Sequence, residues 1–215
     1  MSFKYYKPIT IERIFNQEGT TVEFKKKGHI ALMCPICFNY TVHRINTSFK
    51  ITNYYDYDHR FGDLVNSNNV YSGYCTNPDC NHYTKFIELD INLAEIVSIL
   101  NKKGYRTAYC CEGHINGEGI SFTYIVFEDV YFKDNDYNLP DSYTVAIQTI
   151  KETAKGKVEV SRIKDNCLAE NLFGLTRNEM LEWLDKNYNH KKQIKDLYNW
   201  VIKLPENKNI RKRRK

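Results

Sequence analysis

34-CPIC-37 and 75-CTNPDC-80 gather four of the chain's seven cysteines into two short loops of spacing C-x2-C and C-x4-C. Zinc in a tetrahedral site takes four such ligands, and each loop can present two thiolates from one tight turn. Pro35 in the first loop and Asn77, Pro78 and Asp79 in the second supply the turn chemistry. Strand-like segments flank both loops: 29-HIALM-33 and 40-YTVHRI-45 around the first, 70-VYSGY-74 and 82-HYTKFIEL-89 around the second. This is the layout of a zinc ribbon, two knuckles on antiparallel strands, with Cys34, Cys37, Cys75 and Cys80 as ligands and zinc as the cofactor. Phe38 stands where a glycine commonly follows the second cysteine. His82 reads either as a substitute for one thiolate or as an ordinary solvated histidine. A closed four-thiolate tetrahedron leaves no open position, so such a site is structural.

Between the loops runs an insert, residues 47–70, rich in Tyr and Asn. Its Tyr54, Tyr55, Tyr57 and Phe61 could stack on bases. Asp56, Asp58 and Asp63 sit among them and repel phosphate, which favours a long hairpin or a packed loop. Around this ribbon the chain has 215 residues, 42% of them hydrophobic and 27% charged, a composition that reads as globular. No apolar run approaches the length of a membrane span, and MSFKYYKPITIERIF lacks a signal-peptide core, so the expected location is cytoplasmic. Cysteines without a secretion signal argue for metal ligands or thiols over disulfides.

The net charge of +5 belongs to one end of the chain. Six of the 31 basic residues and one of the 26 acidic ones fall in 205-PENKNIRKRRK-215, leaving residues 1–204 with 25 of each sign. A nucleic-acid footprint therefore begins with a basic tail expected to be disordered.

From residue 84 strand and helix alternate. 84-TKFIEL-89 reads as a strand. Asn92 and Glu95 suggest a capping box opening a helix with apolar residues at 93, 96, 97 and 100, which Gly104 ends. 105-YRTAYCC-111 and 121-SFTYIVFE-128 are strands paired through the loop EGHINGEGI. A second helix is expected over 141–154, and 157-KVEVSRI-163 is a fourth strand. The order β-α-β-β-α-β is the split-βαβ, ferredoxin-like arrangement, its helices covering Ile87, Leu89, Ala108, Cys110, Ile125 and Phe127. Thr176 and Glu179 frame a further capping box, with Met180, Leu181 and Leu184 on one face. A last helix over 190–203 carries Ile194, Leu197 and Val201, and Trp183 and Trp200 read as packing residues. The expected fold class is thus α+β: a zinc-ribbon domain over 1–83, a β-α-β-β-α-β domain over 84–165, C-terminal helices over 166–204 and the tail over 205–215.

Alternation along 105–111 puts Cys110 on the covered face beneath Ile96 and Leu100, and Cys111 on the opposite face beside Glu112 and His114. A binding reading rests on an uncovered sheet face lined by Phe86, Tyr109, Phe122 and Tyr124. Phe122, Tyr124, Ile125 and Phe127 match positions of the octamer with which RNA-recognition motifs stack bases, while Ile120, Ser121 and Thr123 replace its basic and glycine positions. Arg211, Lys212, Arg213, Arg214 and Lys215 would add phosphate contacts, making RNA or a nucleoprotein the partner. The opposing reading has the ribbon or the C-terminal helices cover that face. An RNA-modifying enzyme would use Cys111, Glu112 and His114, a thiol beside a histidine becoming a nucleophile when its pKa is lowered. Cys111 and His114 also have C-x2-H spacing, half of a second metal site with His43, His59 or Cys167. No glycine-rich cofactor loop of recognisable type accompanies them.

The string 99-ILNKKGYRTAYCCEGH-114 resembles a family of zinc-ribbon proteins of low-GC bacteria and their phages, which carry L-N-x-K-G-Y-x-T-x-x-C-C-x-G-H after a ribbon. The matching positions are Leu100, Asn101, Lys103, Gly104, Tyr105, Thr107, Cys110, Cys111, Gly113 and His114, within a similarity over residues 72–130. The resemblance implies the architecture and no particular activity. It also admits a phage-type inhibitor or adaptor that binds a host protein, for which the neutral body and many tyrosines are suited. More distantly, 110-CCEG-113 is similar to the Ser-Cys-Ser-Gly strand end of the wybutosine-synthesis tRNA methyltransferase family, with Cys110 and Glu112 where that family has serines.

Overall fold

The structure is a computed structural model that describes residues 3–7, 10–15, 22–51, 71–116, 119–132, 137–153, 156–165 and 174–207. The insert aromatics, His59, Cys167 and the basic tail from 208 onward lie outside the described residues. The chain is α+β and divides into two compact units. The unit that carries both cysteine loops, labelled the ribbon unit after the layout expected from its sequence, comprises Tyr6–Ala94 with Asn116–Glu118, and a sheet–helix unit comprises Met1–Tyr5, Glu95–Ile115 and Gly119–Lys215.

In the ribbon unit β1 (Thr10–Phe15), β2 (Val22–Met33) and β3 (Tyr40–Ile51) form an antiparallel sheet. β3 pairs with β2 along its whole length, from Val22 opposite Ile51 to Met33 opposite Tyr40. The other edge of β2 is shared: β1 takes Val22–Lys27 and β6 (Ile87–Asp90) takes Ile30–Met33. Ile30, Ala31, Leu32 and Met33 are all buried, which is why 29-HIALM-33 reads as a continuous apolar run and not an alternating one. β4 (Ser72–Tyr74) and β5 (Tyr83–Lys85) make a separate short hairpin.

The sheet–helix unit is built around four antiparallel strands in the order β11-β12-β10-β7. After α1 (Ala94–Lys102) come β7 (Thr107–Cys111), the small pair β8 (His114–Asn116) and β9 (Gly119–Ser121), and β10 (Tyr124–Phe127). β11 (Tyr143–Thr153), β12 (Gly156–Asp165), α2 (Arg177–Asn187) and α3 (His190–Lys203) complete it. Two features correct the split-βαβ expectation. The helix expected over 141–154 is strand β11, and the strand expected over 84–89 contributes to β6, which pairs with β2 and not with β7. Six β-branched residues among the eleven of YTVAIQTIKET, with Tyr143, Val145 and Ile147 at period two, explain the strand.

The end of α1 shows what much of the L-N-x-K-G-Y-x-T string does. Asn101 donates from Nδ2 to the Val97 carbonyl and to Thr107 Oγ1, both at 2.8 Å, and receives the Thr107 amide on Oδ1 at 3.3 Å. Gly104 takes a φ of 93°, a left-handed helix ending that suits a residue without Cβ. Lys103 Nζ reaches the carbonyls of Val201, Ile202 and Leu204 at the end of α3, neutralising the negative end of that helix. Tyr105 stacks on Phe132 at 5.3 Å, in a ring cluster that includes Phe127, Tyr131, Tyr137 and Trp200. These residues build a helix-to-strand corner and its core. At the start of α1 the two residues of the expected capping box make long-range bonds. The Asn92 amide clamps the Tyr6 backbone at 2.7 and 2.9 Å, and Glu95 accepts the Tyr198 hydroxyl at 3.3 Å. At α2 the cap forms: the Thr176 amide and hydroxyl both donate to Glu179 Oε2, at 2.7 and 2.6 Å.

Candidate metal centre

Each cysteine loop is closed by its own backbone. Cys34 N–H donates to the Asn39 carbonyl and Phe38 N–H to the Cys34 carbonyl, both at 2.9 Å. In the second loop Cys75 N–H donates to the His82 carbonyl at 2.9 Å, and the amides of Cys80 and Asn81 both reach the Asn77 carbonyl. Both loops leave the second cysteine through a left-handed residue, Phe38 at φ 59° and Asn81 at φ 38°. Glycine adopts that conformation without steric cost, whereas a side chain there costs about 1–2 kcal/mol. The Phe38 ring is buried, and burying a phenylalanine gains about 1.5–3 kcal/mol, enough to offset the strain.

The loops bring Cys34, Cys37, Cys75 and Cys80 together with all four ligand atoms within 4.8 Å of one another. Cys34 Sγ lies 3.9 Å from Cys80 Sγ, and Cys37 Sγ lies 3.6 Å from Cys75 Sγ. Sulfurs at about 2.3 Å from a common centre in a tetrahedron would be about 3.8 Å apart. The separations fit that figure and are far too long for disulfides. Cys34 and Cys75 are buried, while Cys37 and Cys80 are half-buried. Burial pushes the Cys75 thiol up to about 12. For Cys37 the same burial is outweighed by hydrogen bonds from the Asn39 backbone and the Asn77 side chain, which bring it down to about 7. Four thiolates this close repel one another, so a cation between them is what would let all four ionise. The donor set is compatible with a metal. His82 lies outside it, exposed, with Nδ1 3.8 Å from Cys80 Sγ.

The second candidate, Cys111-Glu112-Gly113-His114, is organised differently. Cys110 lies opposite the fully buried Ile125 and Cys111 opposite Tyr124, so the two thiols face opposite sides of the sheet. Cys110 is half-buried, which corrects the expectation of a buried core cysteine. β7 is an edge strand, and the register shift opposite Val126 and Phe127 leaves Ala108 unmatched and exposed. Cys111 is also half-buried, and its sulfur accepts the Gly113 amide at 3.4 Å. Glu112 is 1% exposed, and its carbonyl accepts Thr123 Oγ1 at 2.7 Å and His190 Nε2. His190 Nδ1 in turn takes the Tyr5 hydroxyl at 2.7 Å. Burial, then the nearby Glu112 charge, pushes Tyr5 up to about 12. His190 and Tyr5 carried no motif signal, and only the fold brings them to this loop. The backbone of His114 runs in β8, and its side chain lies outside the described residues. Among the described residues the one metal-capable group is the ribbon's.

The four aromatics expected to share an open face do not share one. Phe86 packs on Ile30 and Leu32 in the ribbon unit. Phe122 packs against Leu184 with Met180, Trp183 and Tyr188, so the C-terminal helices cover it. Tyr124 is half-buried with the Arg162 guanidinium 4.7 Å from its ring centre. Tyr109 alone is largely exposed, at 70%. Sequence reasoning passed over two other rings, Tyr74 and Tyr83, which stand exposed at the feet of the second cysteine loop.

No helix among the described residues is long and apolar enough to cross a membrane. No protein family matches this chain, and no curated protein or solved structure matches it.

Proposed function

We propose that this is a zinc-ribbon protein whose zinc is structural and whose ligand is RNA or a nucleoprotein. The observation that carries the zinc is the convergence of four sulfurs within 4.8 Å of one another, two pairs of them 3.6 and 3.9 Å apart across the two loops. Soft thiolates in a tetrahedron suit zinc, and the bound ion would cross-link the β2–β3 turn to the β4–β5 hairpin and contribute folding free energy. Both loops are held by backbone bonds, and all four donors are cysteines, as in a closed structural site. The ligand is supported by charge: the neutral body ends in a tail of net +5. Glu112 is 1% exposed and so closed off from solvent and substrate, which favours binding over catalysis at this loop.

The purified protein should carry about one zinc per chain. Binding to single-stranded RNA should weaken steeply with salt, because each phosphate neutralised by Lys or Arg releases counterions, and deleting 208–215 should flatten that slope. Substoichiometric zinc in undamaged protein would remove the metal reading. Absence of RNA binding at about 50 mM salt would remove the nucleic-acid reading in favour of a protein partner.

A further inference from the structure

We infer that the outer face of the β4–β5 hairpin is a stacking site for the unpaired bases of a single-stranded nucleic acid, with Tyr74 and Tyr83 as the platform and Lys85 as the phosphate contact. The inference rests on the nucleic-acid reading above and gives it a place on the protein. Ser72 pairs with Lys85 and Tyr74 with Tyr83, so alternation puts these four side chains on one face of the hairpin. Gly73, between them in β4, turns to the other side, where an added Cβ would meet Phe86 Cε2 at 3.7 Å. Phe86 packs onto Ile30 and Leu32, which makes that side the inner one.

The outer face holds its rings in solvent. Tyr74 is 68% and Tyr83 66% exposed, with ring centres 5.3 Å apart and planes at 80°. Tyr105, Tyr143 and Tyr198, by contrast, are each 4% exposed. Single exposed aromatics are ordinary on protein surfaces, but a directly opposed pair beside a cation is a small composed surface. Lys85 is the one charged side chain among the four, so the face offers π-surfaces and a positive charge with no carboxylate. That combination fits a base-and-phosphate ligand, since every base has a π-face and every linkage a negative charge. A cross-strand tyrosine pair also stabilises a short hairpin, which is the plain structural alternative.

The metal site gives the platform rigidity. Tyr74 immediately precedes Cys75, Tyr83 immediately follows His82, and the Cys75 amide bonds the His82 carbonyl at 2.9 Å. A platform fixed before binding loses less entropy when a base stacks on it. Because the rings and Lys85 read no base edge, binding should tolerate many sequences and prefer single strands to duplex.

The test uses the full zinc-loaded chain and a dye-labelled oligouridine of about 12 nucleotides, followed by anisotropy at about 50 mM salt. Tyr74→Thr with Tyr83→Thr keeps strand propensity but removes the rings, and should weaken binding by about tenfold or more with zinc content unchanged. Tyr74→Phe with Tyr83→Phe should bind within about twofold of the parent, since the π-faces remain. Ultraviolet crosslinking of a 5-iodouridine oligonucleotide should map to Tyr74 or Tyr83. If the parent binds and the threonine pair binds equally well, or crosslinks map only outside residues 72–85, the stacking site is wrong and the nucleic-acid reading survives. If the parent binds neither oligouridine nor oligothymidine, both fall.

Discussion

The ribbon unit closes its loops around four sulfurs, whereas the sheet–helix unit closes around packed rings and buried hydrogen bonds. On the proposed metal reading, one unit adds to its apolar core a single site that a chelator would empty. The other spreads its stability over Tyr105, Phe132, Trp200, the Tyr5–His190–Glu112 chain and the Tyr188–Asp165 bond at 2.8 Å. The same contrast separates the two sets of cysteines. Cys34, Cys37, Cys75 and Cys80 converge from turns, while Cys110 and Cys111 diverge because neighbouring strand residues point to opposite faces.

The largest effect should come from breaking the sulfur cluster. Cys75→Ser, or a strong zinc chelator, should take metal content from about one per chain to near zero, with a loss on the order of 10 kcal/mol to the ribbon unit. Amide exchange at Cys34 and Cys75 should become fast while that at Ile163 stays slow. Comparable acceleration in both units would mean that they do not fold separately.

Alkali should do the reverse. Burial pushes Tyr5 and Tyr105 up to about 12 and also raises Tyr143 and Tyr188, all in the sheet–helix unit. A raised folded pKa leaves stability whole below the unfolded phenol value of about 10 and removes it as pH climbs through the folded value. From pH 10 to 12 the unit should lose on the order of 2 kcal/mol for each buried phenol such as Tyr105, and less for the half-buried Tyr5. Denaturant melts across that range, followed by phenolate absorbance, would measure it. A flat profile would show that these phenols ionise without unfolding.

The smallest effects belong to the strand thiols. Cys110→Ala and Cys111→Ala should each cost less than about 1 kcal/mol, with Cys110 the larger, because it faces the side of Ile125. Alkylation should reach both in the zinc-loaded protein while leaving its metal in place, and mass mapping would read this directly. Metal loss on modifying Cys111 would tie that thiol to the ribbon and erase the contrast.

What the sequence made legible follows the range of the forces involved. The cysteine loops, the Thr176–Glu179 cap and the helix over 190–203 are fixed by neighbours a few residues away, and each stands where spacing placed it. Gly104 ended α1 for the same local reason. Partners far apart in sequence were invisible. Asn92 carries a cap signature, but its amide is drawn to Tyr6, and β6 joins β2 rather than the strand that follows α1. Phe122 has the alternation of an exposed face, yet the C-terminal helices cover it. β11 and the small β8–β9 pair were local misreadings, a β-branched run standing where a helix was expected over 141–154 and two short strands where a loop was expected.

Both tryptophans of the chain, Trp183 and Trp200, fall in the sheet–helix unit. Trp200 is buried there beside Phe132, with its indole N–H bonded to the Tyr137 carbonyl at 2.6 Å. Intrinsic indole emission is therefore an optical reporter for one half of the molecule. Indole emission would follow the ring cluster through a melt, whereas the unit with the cysteine loops contains no tryptophan and only phenols such as Tyr74 and Tyr83. A tryptophan placed at position 74 or 83 would make the dark half visible and give each unit a melting curve of its own.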